Sequence, residues 1–189
     1  MKIKAIAISL LTLVLSACAG LNAQNLDLHP SATATGYIPP TATFSLKVVD
    51  GRSSALVGER QDRLGNQAPI SLTDASAQLH HAIEHALEDA NVNFSPSPKF
   101  KLTVYLDELT YKDTIKNLLH NVETAVTLRF VIDRNGTLFT GTYGAKNEHK
   151  IPNTPTPEQN NEMFDKLIGE TITRALGDNE LLTFLYTDG

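Results

Sequence analysis

The feature of this sequence that most constrains its fold is a pair of alternating apolar runs joined by Asn135-Gly136. Asn-Gly between two such runs is the strongest short-range signal for a β-hairpin with a two-residue loop. A shift of one residue would move every apolar side chain to the wrong face, so the register is tightly constrained. The predicted pairs are Ile132 with Phe139, Phe130 with Gly141, Leu128 with Tyr143, Val126 with Ala145 and, on the opposite face, Arg129 with Thr142.

Two further segments alternate in the same way and predict two more strands. Residues 43–49 place Phe44, Leu46 and Val48 on one side, and the turn pair Asp50-Gly51 follows them. Residues 100–106 repeat this spacing of apolar side chains.

Two longer segments carry apolar residues at helical spacing. Ser71 and Asp74 predict a capping box at the start of the first helix, and Thr156, Pro157 and Gln159 predict a capped start for the second. Gly177 ends the second helix, and residues 178–186 predict a short third one. The two stripes are Ala75, Leu79, Ala82, Ile83, Ala86, Leu87 and Ala90, then Phe164, Leu167, Ile168, Ile172, Ala175 and Leu176.

The order of these elements predicts an α+β fold. One strand, a crossover helix, a three-stranded antiparallel meander and a final helix form a two-layer sandwich with a mixed four-stranded sheet. A right-handed crossover and one-sided alternation place two helices on one face and leave the other open to solvent. We expect this globular α+β domain over residues 43–189.

The N-terminus has the pattern of a bacterial export signal that ends in a lipid-attachment site. Lys2 and Lys4 precede an apolar run over residues 5–15, which is shorter than the roughly 20 residues that span a bilayer. Leu15-Ser16-Ala17-Cys18 matches a lipobox, whose cysteine receives diacylglycerol on sulfur and an acyl chain, typically palmitate, on its freed amine. The alternative is an ordinary secretory signal with a free thiol at Cys18.

Acylation of Cys18 predicts both the location and the layout of the chain. The signal peptide occupies residues 1–17, and the acyl chains attach the mature protein to a membrane effectively permanently. Ala19 stands where an aspartate would retain a lipoprotein at the inner membrane, which favours the outer membrane and a domain facing the periplasm. Residues 18–42 lack periodicity, so they predict a lipidated cysteine and a flexible tether.

The charge of the chain argues against nucleic acid as a partner. The formal net charge is −5, and removal of Lys2 and Lys4 with the signal makes the mature chain more acidic still. An acidic chain repels phosphate backbones and anionic lipid alike. No segment predicts a cofactor.

These features together resemble the YajG-type family of bacterial lipoproteins. The resemblance is carried by the lipobox, by "VVDGRSSALVGER" with Asp50, Arg52 and Gly58, and by the meander that "LTYKD" enters. The family is uncharacterised, so the resemblance implies a lipoprotein of a Gram-negative envelope and no particular activity.

Two groups of charged or imidazole side chains are candidates for a site. His81 and His85 stand one helical turn apart, which is a spacing that allows both to bind one metal ion. Two helical ligands without a third make a weak site, so a solvated helix face is the favoured interpretation. Asp50, Arg52, Glu59 and Arg60 form either a polar recognition loop or, as we favour, a local ion pair that closes the strand.

Two surfaces are candidates for contact with a partner. The first is the open sheet face, which carries Tyr105 and Arg129 together with Lys47, Val131 and Leu138. The second is a predicted loop over residues 113–120, where Leu118 and Leu119 either mark a contact surface or fold back on the domain.

The sequence contains no recognisable catalytic set. Asp107 and Glu108 are adjacent, so they point to opposite faces of a strand unless a bulge intervenes. We therefore predict a lipid-anchored, non-catalytic binding or adaptor module whose partner is an envelope protein or a cell-wall component. The alternatives are an envelope hydrolase that uses Asp, Glu or His, and a weak metal-binding protein.

Overall fold

The computed structural model describes residues 21–39 and 41–186, which form one mixed sheet and three helices. Cys18 and the predicted signal peptide over residues 1–17 lie outside the described residues. In chain order the elements are β1 (Gln24–Asn25), β2 (Thr43–Asp50), β3 (Leu56–Gln61), β4 (Gln67–Ser71), α1 (Ala75–Asp89), β5 (Asn93–Phe94), β6 (Phe100–Lys116), β7 (Leu119–Arg134), β8 (Thr137–Ile151), α2 (Pro157–Leu176) and α3 (Asn179–Tyr186).

The meander of β6, β7 and β8 is the frame of the sheet. All the predicted pairs across Asn135-Gly136 are confirmed, from Val126 opposite Ala145 to Ile132 opposite Phe139. Asn135 and Gly136 both have positive φ, at 51° and 90°, as a two-residue hairpin turn of this type requires. The apolar alternation therefore predicted both the strands and their register.

Strand β6 lies at the centre of the sheet because two different strands share its second edge. Its first half pairs in parallel with β2, from Phe44 opposite Phe100 to Asp50 opposite Leu106. Its second half pairs in parallel with β3, beginning with Gly58 opposite Tyr111. The pairing of β6 with β7 shifts by one residue between Leu106 and Glu108, which is a β-bulge.

The mixed sheet is confirmed, but the prediction of four strands is wrong, because the described chain contains eight. The missed strands are β3 with its antiparallel partner β4 and the two-residue strands β1 and β5. Strand β3 shows no apolar alternation, because its buried positions are Val57 and Arg60. Strand β4 does alternate at Ala68 and Ile70, but over only five residues, and the sequence analysis overlooked it.

The loop predicted over residues 113–120 is also wrong. Strand β6 continues to Lys116, β7 begins at Leu119, and the turn between them is only Asn117-Leu118. The alternation is hidden here because Asp113 and His120 are buried polar residues on the core side of the sheet. The bulge after Leu106 hides it further, because it shifts the phase of β6 by one residue.

The three helices and the inward side chains of the sheet share one apolar core. Helix α1 packs on β2, and α2 packs on β7 and β8. The capped start of α2 is confirmed, because Thr156 Oγ1 accepts from Gln159 N and Gln159 Oε1 accepts from Thr156 N. The capping box predicted for α1 is wrong, since Ser71 ends β4 and Asp74 makes no side-chain capping bond.

Residues 26–38 form an extended strap across the helices, so the prediction of a flexible tether is wrong for the described part of that segment. Leu26 and Leu28 are buried in the core, and the N–H of Leu28 donates to Gln78 Oε1 of α1 over 2.9 Å. The N–H of His29 donates to Asp165 Oδ1 of α2 over 2.7 Å. Helix side chains thus satisfy backbone donors of the strap, and its alternation of buried Leu26 and Leu28 with exposed Asp27 is a local signal that the sequence analysis missed.

The strap lies against α2 at a glycine. A side-chain carbon on Gly169 would come within 2.3 Å of the carbonyl oxygen of Ser31, so a larger residue at this position would push the strap outward. Glycine at this position therefore allows the close approach.

Candidate functional site

The centre of the open sheet face is a cluster of Tyr105, Arg129 and Asp107. Arg129 lies opposite Tyr105 on neighbouring strands, and its guanidinium carbon is 4.1 Å from the centroid of the tyrosine ring. Arg129 Nε and Nη2 donate to the two carboxylate oxygens of Asp107 over 2.8 and 2.9 Å. These bonds to Asp107 raise the pKa of the guanidinium. The structure thus brings together the two residues that the sequence predicted for this face.

The β-bulge decides where the two adjacent acids point. Asp107 binds Arg129, and Glu108 Oε2 accepts from the hydroxyl of Thr127, a residue of the same face, over 3.2 Å. Both carboxylates therefore lie on the open face, which is the exception that the sequence analysis allowed. Each carboxylate already has a hydrogen-bond partner: Asp107 holds Arg129, and Glu108 holds Thr127.

The open face on one side of this cluster carries a row of Thr, Val and Lys residues. Lys47, Thr103 and Val131 stand side by side on three paired strands, and Thr140 continues the row. Leu138 lies at the far end of the face with 63% of its surface exposed. Among the described elements, the helices contribute their buried residues to the core on the other side.

The helical histidines line a groove beside the strap. The rings of His81 and His85 are 6.5 Å apart, and His85 Nδ1 lies 3.1 Å from Asp89 Oδ2 on the same helix. The groove has a volume of about 530 Å³ and runs between strap residues 28–33 and α1. In the described part of the chain, no group of three or more His, Cys, Asp or Glu side chains is placed to hold a metal ion.

A buried polar cluster, which the sequence analysis missed, lies on the core side of the sheet near the Asn117-Leu118 turn. His120 is fully buried, and its Nδ1 lies 2.9 and 3.0 Å from the two carboxylate oxygens of Asp113. The backbone N–H of Gln61 donates to Asp113 Oδ2 over 3.2 Å. Asp113 thereby links β3, β6 and β7.

Arg60 and Asn160 extend this cluster toward the start of the strap. Arg60 is 6% exposed and donates from Nη2 to the carbonyl oxygen of Asn22 over 2.7 Å and from Nη1 to that of Pro155. Asn160 Nδ2 donates to Gln24 Oε1 over 2.8 Å. Five buried polar atoms of the region make no hydrogen bond: Arg60 Nε, Tyr111 Oη, His120 Nε2, Thr124 Oγ1 and Asn160 Oδ1.

The buried polar cluster has a structural role, because its hydrogen bonds connect β3, β6 and β7 with the segment before the strap. Burial raises the pKa of the Tyr111 hydroxyl, so this group stays neutral at physiological pH. His120 has no exposed surface, so no substrate atom reaches its imidazole in this conformation. One signal was available in the sequence, because His120 stands in phase with Val122 and the other buried positions of β7.

Asp50 and Arg52 form the local ion pair that the sequence favoured. Arg52 Nε and Nη2 each donate to the Asp50 carboxylate over 2.8 Å, and Nη2 also donates to the carbonyl oxygen of Leu72. The side-chain hydrogen bond from Arg52 lowers the pKa of Asp50. Glu59 is exposed and Arg60 belongs to the buried polar cluster, so the four charges form no recognition loop.

Leu118, in the Asn117-Leu118 turn, and Leu119, the first residue of β7, are both exposed. Leu118 is 72% exposed and has a φ of 65°, which is rare for a leucine. Arg63, from the turn between β3 and β4, donates from Nη2 to the carbonyl oxygens of Leu118 and Pro152. The two turns are therefore neighbours at one end of the sheet.

Similarity to one solved structure supports the fold. The protein XCC0632 from Xanthomonas campestris aligns with a TM-score of 0.52 at 11% identity, over 87% of this chain and 95% of its own. A minor lipoprotein from Acinetobacter baumannii aligns with a TM-score of 0.38 at 14% identity, over 71% and 86% of the two chains. A search of curated protein sequences finds no match.

A family model described as "Uncharacterized lipoprotein" matches residues 30–186. The match begins inside the strap and includes all three helices and all the strands except β1. In the described residues, no helix is long and apolar enough to span a membrane. The resemblance to an uncharacterised lipoprotein family is confirmed, and this chain belongs to that family of bacterial lipoproteins.

Proposed function

We propose that this protein is a lipid-anchored lipoprotein of the bacterial envelope that binds an envelope protein through the open face of its sheet. Membership of a lipoprotein family and the lipobox before Cys18 support the anchor. An acylated thiol serves neither redox chemistry nor metal binding, so the role of Cys18 is attachment. Ala19 supports the outer membrane, with the domain facing the periplasm.

The observation that carries the binding role is the rigid cluster at the centre of the open face. Two hydrogen bonds to Asp107 and the ring of Tyr105 hold the Arg129 guanidinium in one position. A side chain that is already fixed loses little conformational entropy when a partner binds. Arginine and tyrosine are also the residues most enriched among those that dominate binding energy at protein interfaces.

The binding role is tested by partner capture in cells. The variant Arg129→Glu combined with Tyr105→Ala should lose crosslinks to its envelope partner, because it removes both the cation and the ring at the centre of the face. Lys166→Glu is the matched control, because it reverses a charge on the opposite layer of the domain. Lys166 belongs to α2, and its side chain is 69% exposed. Crosslinking followed by mass spectrometry compares the three proteins. An unchanged set of crosslinked partners in the double variant would contradict the proposal.

The anchor is tested by the mass of the N-terminal peptide. Cys18→Ser should leave the precursor unacylated and uncut, because a serine hydroxyl does not accept the diacylglycerol. Ala19→Asp should leave acylation intact and move the protein to the inner membrane. Membrane fractions of both variants are compared with wild type by mass spectrometry. A wild-type peptide without acyl chains would refute the anchor, and an unchanged location of Ala19→Asp would refute the outer-membrane assignment.

A further inference from the structure

Two neighbouring hairpin turns expose leucines at one end of the sheet. Leu64, in the turn between β3 and β4, is 89% exposed, and Leu118 is 72% exposed. The hydrogen bond from Arg63 to the carbonyl oxygen of Leu118 joins the two turns. We call this surface the entry-end tip, and it consists of Leu64, Leu118 and Leu119 with the basic residues Arg63, Lys116 and Lys150.

The entry-end tip is basic although the chain as a whole is acidic. Lys116 and Lys150 are exposed and line one hollow together with Leu119. Arg63 adds a third positive charge, and the acids nearby are Asp62, Glu148 and Glu123, of which Glu123 is paired with Lys146 over 2.8 Å. This mixture of exposed leucines and cations matches surfaces that enter the boundary between phospholipid head groups and acyl chains.

The backbone conformation of Leu118 is a second observation that favours a contact between this residue and a binding partner. Its φ of 65° lies in the left-handed region, which is unfavourable for a residue with a branched side chain. Glycine or asparagine would suit the turn better. A residue that is unfavourable for its turn and exposed to solvent points to a role outside the fold.

The chain enters the domain at this same end. Strand β1 pairs in parallel with β4, with Gln24 opposite Ile70, so the residues before Gln24 approach the turn that carries Leu64. Arg60 fixes this entry by its 2.7 Å hydrogen bond to the carbonyl oxygen of Asn22. Leu21 is three residue steps from Cys18, with Ala19 and Gly20 between them, which is a reach of about 10 Å.

We propose that the entry-end tip contacts the phospholipid surface that holds the acyl chains of Cys18. The inference rests on the proposed lipid attachment. Because the strap is packed on the helices, little free chain remains to hold the domain away from the head groups. The leucines enter the interface, and the basic side chains pair with lipid phosphates. Strands β6, β7 and β8 then extend away from the membrane, and the open face reaches up to about 50 Å from the membrane surface.

The experiment uses the absence of tryptophan from the chain. Leu64→Trp and Leu138→Trp each introduce a single fluorophore, and these two exposed leucines lie at opposite ends of the sheet. The acylated full-length variants are reconstituted in vesicles of phosphatidylethanolamine and phosphatidylglycerol, with and without brominated acyl chains. We expect brominated lipid to quench the emission of Leu64→Trp, and the emission of Leu138→Trp to stay unchanged.

Two other measurements separate this inference from the proposed anchor. The mass of the N-terminal peptide reports acylation, and flotation reports attachment to the vesicles. An acylated protein that floats while Leu64→Trp stays unquenched would overturn the membrane contact alone, as would equal quenching of both reporters. An unacylated N-terminal peptide would overturn the anchor and the contact together. A blue shift of Leu64→Trp in whole envelopes but not in lipid vesicles would assign the tip to a protein instead.

Discussion

The two hairpins of the meander share a turn geometry and differ in the residue that adopts it. Asn135-Gly136 and Asn117-Leu118 each place two successive residues at positive φ, with asparagine at 51° in both. Glycine adopts this conformation freely, whereas leucine is disfavoured by about 1–2 kcal/mol. Strand twist therefore selects the same turn at both ends, even where the residue in the turn is unfavourable for it.

The interiors behind the two hairpins differ as well. Behind Asn135-Gly136 the buried side chains of β7 include Phe130 and Ile132, so packing stabilises this end. Behind Asn117-Leu118 the buried side chains include Asp113 and His120, so hydrogen bonds hold that end. A buried polar group without a hydrogen-bond partner carries its full desolvation penalty. Removing one partner of a buried pair therefore destabilises the fold strongly. The two ends should therefore respond differently to single substitutions.

The largest expected effect is at the polar end. His120→Ala should lower the free energy of unfolding by about 3–5 kcal/mol, because it leaves the buried Asp113 carboxylate with the Gln61 N–H and no imidazole. Ile132→Val, which removes a single buried methyl group at the apolar end, should cost about 0.5–1.5 kcal/mol. Urea unfolding of both variants measures the difference.

A double substitution tests whether His120 and Asp113 act as a pair. Asp113→Leu with His120→Leu should be less destabilising than His120→Ala, because replacing both partners leaves no uncompensated charge. If the double variant is as unstable as the sum of the two single leucine variants, the pair is not coupled and the contrast between the ends fails.

The next effect concerns two buried arginines, one at each end. Arg60→Ala should cost about 2 kcal/mol and expose the amide of Leu26, which pairs with Ser71, to hydrogen exchange, because Arg60 holds the start of the strap. Arg134→Ala should instead loosen α3, whose Phe184 carbonyl oxygen accepts from Arg134 Nη1 over 3.0 Å. Exchange measured by mass spectrometry resolves the two regions. Loss of protection in both regions for either variant would contradict this separation.

A smaller effect comes from exchanging the turn residues. Gly136→Leu should lower the free energy of unfolding by about 1–2 kcal/mol, since it puts a branched side chain at a φ of 90°. Leu118→Gly should change it by less than about 1 kcal/mol, because relief of the unfavourable φ is offset by the greater entropy of glycine in the unfolded chain. Thermal unfolding of the two variants checks the asymmetry. Equal losses would show that Leu118 stabilises its turn through contacts within the domain.

The sequence predicted one end of the sheet far better than the other. Around Asn135-Gly136 the apolar alternation runs into an ideal turn, so both strands and their register were correct. Around Asn117-Leu118 three local signals fail together, because the bulge at Asp107 shifts the phase, polar residues occupy buried positions, and the turn carries leucine. The surface pair Tyr105 and Arg129 was predictable. Tyr105 precedes the bulge in β6, and Arg129 lies in the part of β7 whose register was predicted correctly.

The strap was missed for a different reason. Its backbone donors bind side chains such as Gln78 and Asp165, which are remote in sequence. Its inward and outward positions do alternate with the period of a strand, with Leu26, Leu28 and Pro30 buried, and the sequence analysis overlooked this signal. The helix side chains that bind its backbone are visible only in the three-dimensional arrangement.

The smallest expected effect concerns Asp62, which closes the turn that carries Leu64. Its Oδ1 accepts from the N–H groups of Leu64 and Asn66 over 2.9 Å each, and its Oδ2 accepts from Asn66 Nδ2 over 2.7 Å. The side-chain hydrogen bond from Asn66, with the backbone bonds, holds the pKa of Asp62 below its usual value of 3.8. A depressed pKa in the folded state contributes stability above the unfolded value, and this contribution is lost as the pH falls through the folded pKa.

The pH dependence of unfolding therefore tests the role of Asp62. Asp62→Asn should be less stable than wild type at neutral pH, and the two should converge as the pH falls from about 4, the unfolded pKa of an aspartate, through the lower folded pKa of Asp62. Asn66→Ala should narrow the same gap, because it removes the largest cause of the shift. Denaturation midpoints at neutral and acid pH give the comparison. A gap between wild type and Asp62→Asn that is independent of pH would mean that the negative charge of Asp62 does not stabilise the turn, and the order of the entry-end tip would then have to come from Arg63 and its carbonyl partners.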